Sequence, residues 1–223
     1  MTERQTIFNR QQEALRSALT AGWDAQKAIE LFLDQHARVH SAQTTFSNTP
    51  SLEDEIWEGL GELQRRGIPP KGEHSIAWIF WHITRIEDTT LNLLVAGTPQ
   101  LFNLEPWMER LKVTVQDSGN SMSVEEIRRL SETIDLAELR KYRFCVGRRT
   151  REIVRGLNAE DFSRKVDPGR LQRVMDEGAL VEGSRPILEY WGGRTIAGLL
   201  LMPPTRHSFV HLNEAARIKQ KRK

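Results

Sequence analysis

His207 and His211 stand four apart in Arg206-His207-Ser208-Phe209-Val210-His211, a stretch that continues as helix-forming sequence to Ile218. At that spacing two residues share a helix face, with Cβ atoms about 5–6 Å apart, so two imidazoles can reach one metal ion. A metal centre needs at least a third donor from elsewhere in the chain. His82 is the best placed, because it follows Ser75-Ile76-Ala77-Trp78-Ile79-Phe80-Trp81 and lies one turn beyond Trp78 and two beyond Ser75. A lone histidine on an apolar helix is ordinarily satisfied by a carbonyl or a nearby acid. A facing His-x-x-x-His helix reverses that preference, since two crossing helices can deliver three neutral imidazoles and leave a fourth position for water or a small ligand.

Other residues compete for the same chemistry. His36 and His40 repeat the i, i+4 spacing, but His36 adjoins Asp34, Gln35 and Arg38, which reads as a solvated helix end, with His40 able to reach a bundle cavity. His74 precedes the cap of its helix and reads as a loop residue. Glu214 follows His211 by three and His207 by seven, a spacing that allows a hydrogen bond to a ligand, a fourth ligand or proton transfer. Glu87 and Asp88 align less well with His82, and Arg85 reads as paired with a neighbouring acid or as an anion anchor. His207 is followed by serine rather than glutamate, which removes the metalloprotease His-Glu-x-x-His arrangement. Cys145 is the single cysteine and reads as a small buried residue, and no phosphate-cradling glycine loop or Gly-x-Ser-x-Gly elbow occurs.

The elements that must position these residues are helical almost throughout. A helix is expected from Thr6 to Leu19, and a first long bundle helix from Trp23 to about Gln43. Ser51 with Asp54 predicts a capped shorter helix that ends by Gly67-Ile68-Pro69-Pro70. The most hydrophobic helix should run from Ser75 to about Val95, stopped by Gly97-Thr98-Pro99. Ser123 and Glu126 predict a capped helix to about Thr133 inside an otherwise irregular surface insertion, residues 99–133. A further long helix is expected from Leu136 to Leu157, a short one from Asn158, and a poorly patterned stretch over residues 165–185. An apolar helix from Ile187 to Met202 must break at Pro203-Pro204, and the last helix should begin near Thr205. The six tryptophans read as packing anchors.

Composition narrows the function classes. With 223 residues the chain can bury a sizeable core without staples, and a single cysteine precludes an internal disulfide framework. No signal peptide opens it, so an intracellular, cytoplasmic protein is expected. No apolar run approaches the roughly 20 residues of a membrane span, and mean hydropathy is −0.51. Thirty-two basic against thirty acidic residues give a formal charge of +2, too little for a nucleic-acid partner, and the Lys219, Lys221, Arg222, Lys223 tail reads as a solvated helix end.

Ser75-Ile76-Ala77-Trp78-Ile79-Phe80-Trp81-His82-Ile83 resembles the helix-two signature of the DinB/YfiT-like superfamily, and the His207-x-x-x-His211 pair resembles its second signature. The resemblance implies an all-α four-helix bundle spanning residues 1–223 as one domain, with extra short helices and insertions near 99–133 and 165–185. It implies that His82, His207 and His211 bind a divalent metal, for which zinc, nickel or iron are candidates, copper being a further option for three imidazoles. It also implies a homodimer and a small-molecule ligand or substrate. The functional expectation is a metal-dependent transferase or hydrolase that activates a low-molecular-weight thiol or water toward a small electrophile. A non-catalytic metal- or small-molecule-binding protein is the alternative, and an interaction module built on the basic tail is weaker still.

Overall fold

The structure, a computed structural model, describes residues 2–21 and 24–221. Trp23, where the first long helix is expected to start, and Arg222 and Lys223 of the basic tail lie outside the described residues. The fold is all-α, and among the described residues the β structure is one isolated bridge between Lys165 and Thr195.

Five helices position the chemistry. α1 (Glu3–Ala21) packs along α2 (Ala25–Ala37), whose start is capped by Asp24 accepting from the Lys27 N–H. α3 (Ile76–Asp88) is the centre, packing against both α4 (Leu136–Arg155) and α5 (Ser208–Gln220), while α4 also meets α2. Every residue of α3 is buried, its first two turns being almost wholly apolar. Ser75 starts it by accepting the Trp78 N–H at 2.9 Å. Burial of side chains such as Ile76, Ile79 and Ile83 contributes about 1.5–3 kcal/mol each. Beyond Asp88 the helix widens into a π-type turn, Thr89–Ala96, and stops at Gly97, whose φ of 75° is the left-handed conformation glycine accommodates.

α3 passes between two apolar clusters. Ile76 to Ile83 belong to one, with Trp57, Tyr142 and Phe209; Ile86 and the Leu91–Val95 stretch belong to the other, with Phe32, Trp191 and Ile196. The polar residues Thr84, Arg85, Glu87 and Asp88 occupy the crossing, fully buried, so each must find partners there.

Both expected insertions are helical in part. Residues 99–133 hold short helices Leu101–Leu104, Trp107–Arg110 and Val124–Thr133, the last with the expected capping box. This insertion also reaches into the core, for Phe102, Trp107 and Leu111 are buried. Residues 165–185 carry the helix Pro168–Asp176, whose Arg170 donates to the carbonyls of Leu94 and Val95 and so satisfies the end of the widened α3 segment.

Two expectations at the C-terminal side are corrected. Ile187 to Met202 is two helices, Arg185–Gly192 and Ile196–Leu200, because Gly192-Gly193 interrupts the pattern and Thr195 caps a new start by accepting from Gly198. The last helix does not begin afresh near Thr205: a π-type turn, Met202–His207, runs directly into α5. Pro203 and Pro204 bring no N–H to the carbonyls a turn earlier. The Thr205 hydroxyl donates to Leu200 O at 3.0 Å, Ser208 to Pro203 O at 3.3 Å, and Gln12 Nε2 to Leu201 O at 2.7 Å. The chain thus keeps helical direction past the prolines while shifting the phase of His207.

Candidate metal centre

The structure brings His82, His207 and His211 together. Their ring centroids form a near-equilateral triangle, 5.0 Å from His82 to His207, 4.9 Å from His82 to His211 and 4.7 Å from His207 to His211. His82 Nε2 and His207 Nε2 are 3.1 Å apart. Bonds of about 2.0–2.1 Å at a tetrahedral angle would set two nitrogens about 3.3–3.4 Å apart, so the donor set fits a first-row divalent ion.

The other ring nitrogens are tied down where it matters. His82 Nδ1 lies 2.8 Å from the Ser118 carbonyl, which only accepts, so Nδ1 carries the proton and Nε2 presents its lone pair. His211 Nδ1 donates to Glu214 Oε2 at 3.1 Å, leaving its Nε2 for the triangle. Glu214 Oε1 accepts from His74 Nδ1 at 2.8 Å. His74 stacks on Trp78 at 4.0 Å and Trp78 on His82 at 4.7 Å, a sandwich that fixes the His82 ring plane. His74, expected to be an uninvolved loop residue, is therefore part of the support. His207 Nδ1 is buried without a partner.

Burial keeps the His82 and His207 imidazoles neutral. Burial, with His211 nearby, lowers the His82 pKa to about 3, and burial beside His82 lowers that of His207 well below the usual range. Burial alone would raise the Glu214 pKa, but hydrogen bonds from His211 and His74 prevail and hold it at about 2. The mouth of the site is accessible: the His211, His74 and Glu214 side chains are 17%, 22% and 28% exposed.

The Ser118 carbonyl had no signal in the sequence, because a backbone acceptor is set by loop path and not by residue type. Gly119 lets that loop approach: its φ is 80°, and a Cβ there would sit 2.8 Å from Trp78 Nε1. Arg85 anchors the loop by donating through Nε to Gln116 O at 2.9 Å, and it pairs with Asp88 at 3.2 Å, as its expected acid partner. Asp88 in turn accepts the Leu101 and Phe102 N–H groups at 2.9 and 3.0 Å, so one buried ion pair on α3 holds both ends of the loop region. Cys145 is only partly buried, its thiol pKa raised mainly by burial.

A family model for the DinB superfamily matches residues 45–202. The chain belongs to the DinB superfamily. The matched region contains His82 and ends before His207 and His211, so the paired histidines of this DinB protein rest on their own geometry. No curated protein matches the chain.

His36 and His40 are not at a solvated helix end, as their polar neighbours suggested. Both are 0% exposed, and their Nε2 atoms lie 3.0 and 2.8 Å from the two oxygens of Glu87, itself 0% exposed. The sequence did hold a signal for this: a carboxylate inside an otherwise apolar helix must be paired when that helix is buried. α4 accommodates the cluster through Gly147, where an added Cβ would meet His40 Nδ1 at 2.5 Å and Thr44 Cγ2 at 2.8 Å. Gly→Ala in a helix interior is ordinarily favourable by about 1 kcal/mol. Gly147→Ala is expected to reverse that sign and destabilise by about 1–3 kcal/mol through overpacking, read as a lower urea midpoint at unchanged m-value.

The buried histidines also dictate a pH dependence. Burial lowers the pKa of His36, His40, His82 and His207 from 6.5, with His40 and His82 brought to about 3. Below about pH 6.5 the unfolded chain binds protons that the folded chain refuses, so stability falls as pH drops. The limiting slope is about 1.4 kcal/mol per pH unit for each histidine. Glu214 acts in the same direction at lower pH, since its stabilisation is present above its unfolded pKa of 4.5 and is lost on descent toward 2. Urea denaturation of chelator-treated protein should show a marked loss of stability between pH 7 and 5; equal midpoints would contradict neutral burial.

Proposed function

We propose that this DinB protein holds a divalent ion, zinc, nickel or iron, on His82, His207 and His211, and uses it to activate a low-molecular-weight thiol or water for transfer to a small electrophile. The observation that carries the reading is the triangle of imidazoles in which the Nδ1 atoms of His82 and His211 are engaged, so that their Nε2 atoms are left for one centre. Such an ion, when bound, lowers the pKa of a coordinated thiol or water and supplies a nucleophile near neutral pH. The chain's own residues do the rest. Ser118 fixes the His82 tautomer, Glu214 orients His211 through a charge-assisted hydrogen bond, and Trp78 walls one side against water.

A second reading, capture of metal or ligand without turnover, is favoured by one feature: both Glu214 oxygens are engaged by His74 and His211, so this nearest carboxylate is already committed as an acceptor. Elemental analysis of the purified protein and of His82→Ala tests the ion, which should be present in the first and depleted in the second. A panel of low-molecular-weight thiols with small electrophiles then tests turnover. Activity that survived the loss of both His207 and His211 would exclude the proposed chemistry, and a metal-loaded protein inert toward the whole panel would favour the binding reading.

A further inference from the structure

The carboxylate of Glu87 presents an unusual electrostatic situation. It is 0% exposed, and its partners among the described residues are His36, His40 and the hydroxyl of Thr150, which donates to Oε1 at 2.7 Å. Among the described residues its ion pairs are to histidines alone, and Arg143 pairs with Glu53 at 2.5 Å. A buried carboxylate without lysine or arginine beside it is costly unless another cation accompanies it. A proton shared with the imidazoles is one such cation.

The geometry offers another cation a place. Two imidazole rings stacked at 4.1 Å turn their Nε2 edges toward one carboxylate, with nitrogen–oxygen separations of 3.0 and 2.8 Å. Bonds of about 2.1 Å meeting near a right angle subtend about 3.0 Å, the edge of an octahedral face. Two histidines and one carboxylate with the remaining positions open is the donor set that suits iron(II) and its first-row neighbours. Thr150 orients the carboxylate as an outer partner does, and the His36 and His40 Nδ1 atoms are buried without partners, so neither ring is pinned against a change of tautomer.

We propose that His36, His40 and Glu87 form a second divalent transition-metal site, distinct from the three-histidine centre and sharing no ligand with it. Each Nε2 that faces Glu87 would carry the ion in place of a proton, and a proton displaced from it passes to the Nδ1 of the same ring or to solvent. The ion's positive charge replaces two hydrogen bonds as the counterpart of Glu87. The site draws on α2, the bend after it, α3 and, through Thr150 and Gly147, α4, so its occupation would lock the bundle at the level where α3 crosses between the two apolar clusters.

The test is a metal count on the whole chain. The metal-free protein is titrated anaerobically with cobalt(II), dialysed against a weak chelator, analysed for metal, and its visible spectrum recorded. Wild type is expected to retain two equivalents, Glu87→Gln one, and His82→Ala/His211→Ala one, the last with the weak absorption of a five- or six-coordinate ion rather than the intense bands of a tetrahedral one. Wild type holding a single equivalent that the double variant loses and Glu87→Gln keeps would overturn this proposal and leave the three-histidine centre standing. A single equivalent lost in Glu87→Gln and kept in the double variant would do the opposite. No retained cobalt in any protein would sink both. If Glu87→Gln fails to fold, the equivalent retained or lost by the folded double variant decides.

Discussion

Asp88→Ala is expected to destabilise the protein by about 3–5 kcal/mol, the cost of leaving one member of a buried ion pair without the other. Asp88 Oδ2 accepts from Arg85 at 3.2 Å, from the Tyr142 hydroxyl at 2.5 Å and from the Phe102 N–H at 3.0 Å, while Oδ1 accepts from Asn92 at 2.7 Å and the Leu101 N–H at 2.9 Å. Truncation takes the acceptor from the Leu101 and Phe102 N–H groups and the Tyr142 hydroxyl and leaves the Arg85 guanidinium, which is 0% exposed, without its carboxylate. For a chain of this length each kcal/mol corresponds to about 2–4 °C, so the melting temperature should fall by roughly 6–20 °C. Asp88→Asn, which keeps the shape and some acceptors, should fall less. The effect should also reach the three-histidine cluster, because Arg85 holds the Gln116 carbonyl and that loop delivers Ser118 to His82. A variant that melts like wild type would show that the buried network is not what holds the loop.

His207→Ala is expected to weaken retention of the proposed ion in the three-histidine centre by roughly 100-fold or more. Four-ligand zinc sites are worth about 10–16 kcal/mol in total, or roughly 3 kcal/mol for each donor removed, and every 1.4 kcal/mol is tenfold. Glu214→Gln should cost less, about 10–100-fold, since it alters the orientation and basicity of His211 without removing a ligand. The graded series, measured by competition with a chromophoric chelator and resolved from the Glu87 cluster by using the Glu87→Gln background, separates ligand from support. Equal affinities for wild type and His207→Ala would remove this residue from the centre. Glu214→Gln as damaging as His207→Ala would assign Glu214 a direct ligand role.

Much of the local structure is written in residue types. Ser51, Ser123 and Asn158 cap helices where their spacing to Asp54, Glu126 and Asp161 says they should. α3 could be recognised as buried because it is the most hydrophobic helix and carries a broad apolar face, and Gly97 marks the end of its continuation through backbone freedom alone. His82 with His207 and His211 could be assembled as candidates for the same reason: a fixed helical period places donors on known faces before any packing is known.

Where hydrogen-bond bookkeeping spans distant segments, the chain alone gave less. The prolines at 203 and 204 predict an interruption, yet whether the helix stops or widens depended on Thr205, Ser208 and the remote Gln12 taking up the carbonyls. His36 and His40 look solvated by their neighbours because polarity along the chain says nothing about which face is covered; α3 and α4 cover theirs, and Glu87 waits there. Sequence by itself determined most of the helices, several of their caps and the three histidines that can share a centre, since those follow from local geometry that repeats every turn. The tertiary structure alone decided that a loop carbonyl fixes the His82 tautomer and that a second cluster lies in the core, because both depend on which groups are desolvated together, and desolvation is a property of the packed chain.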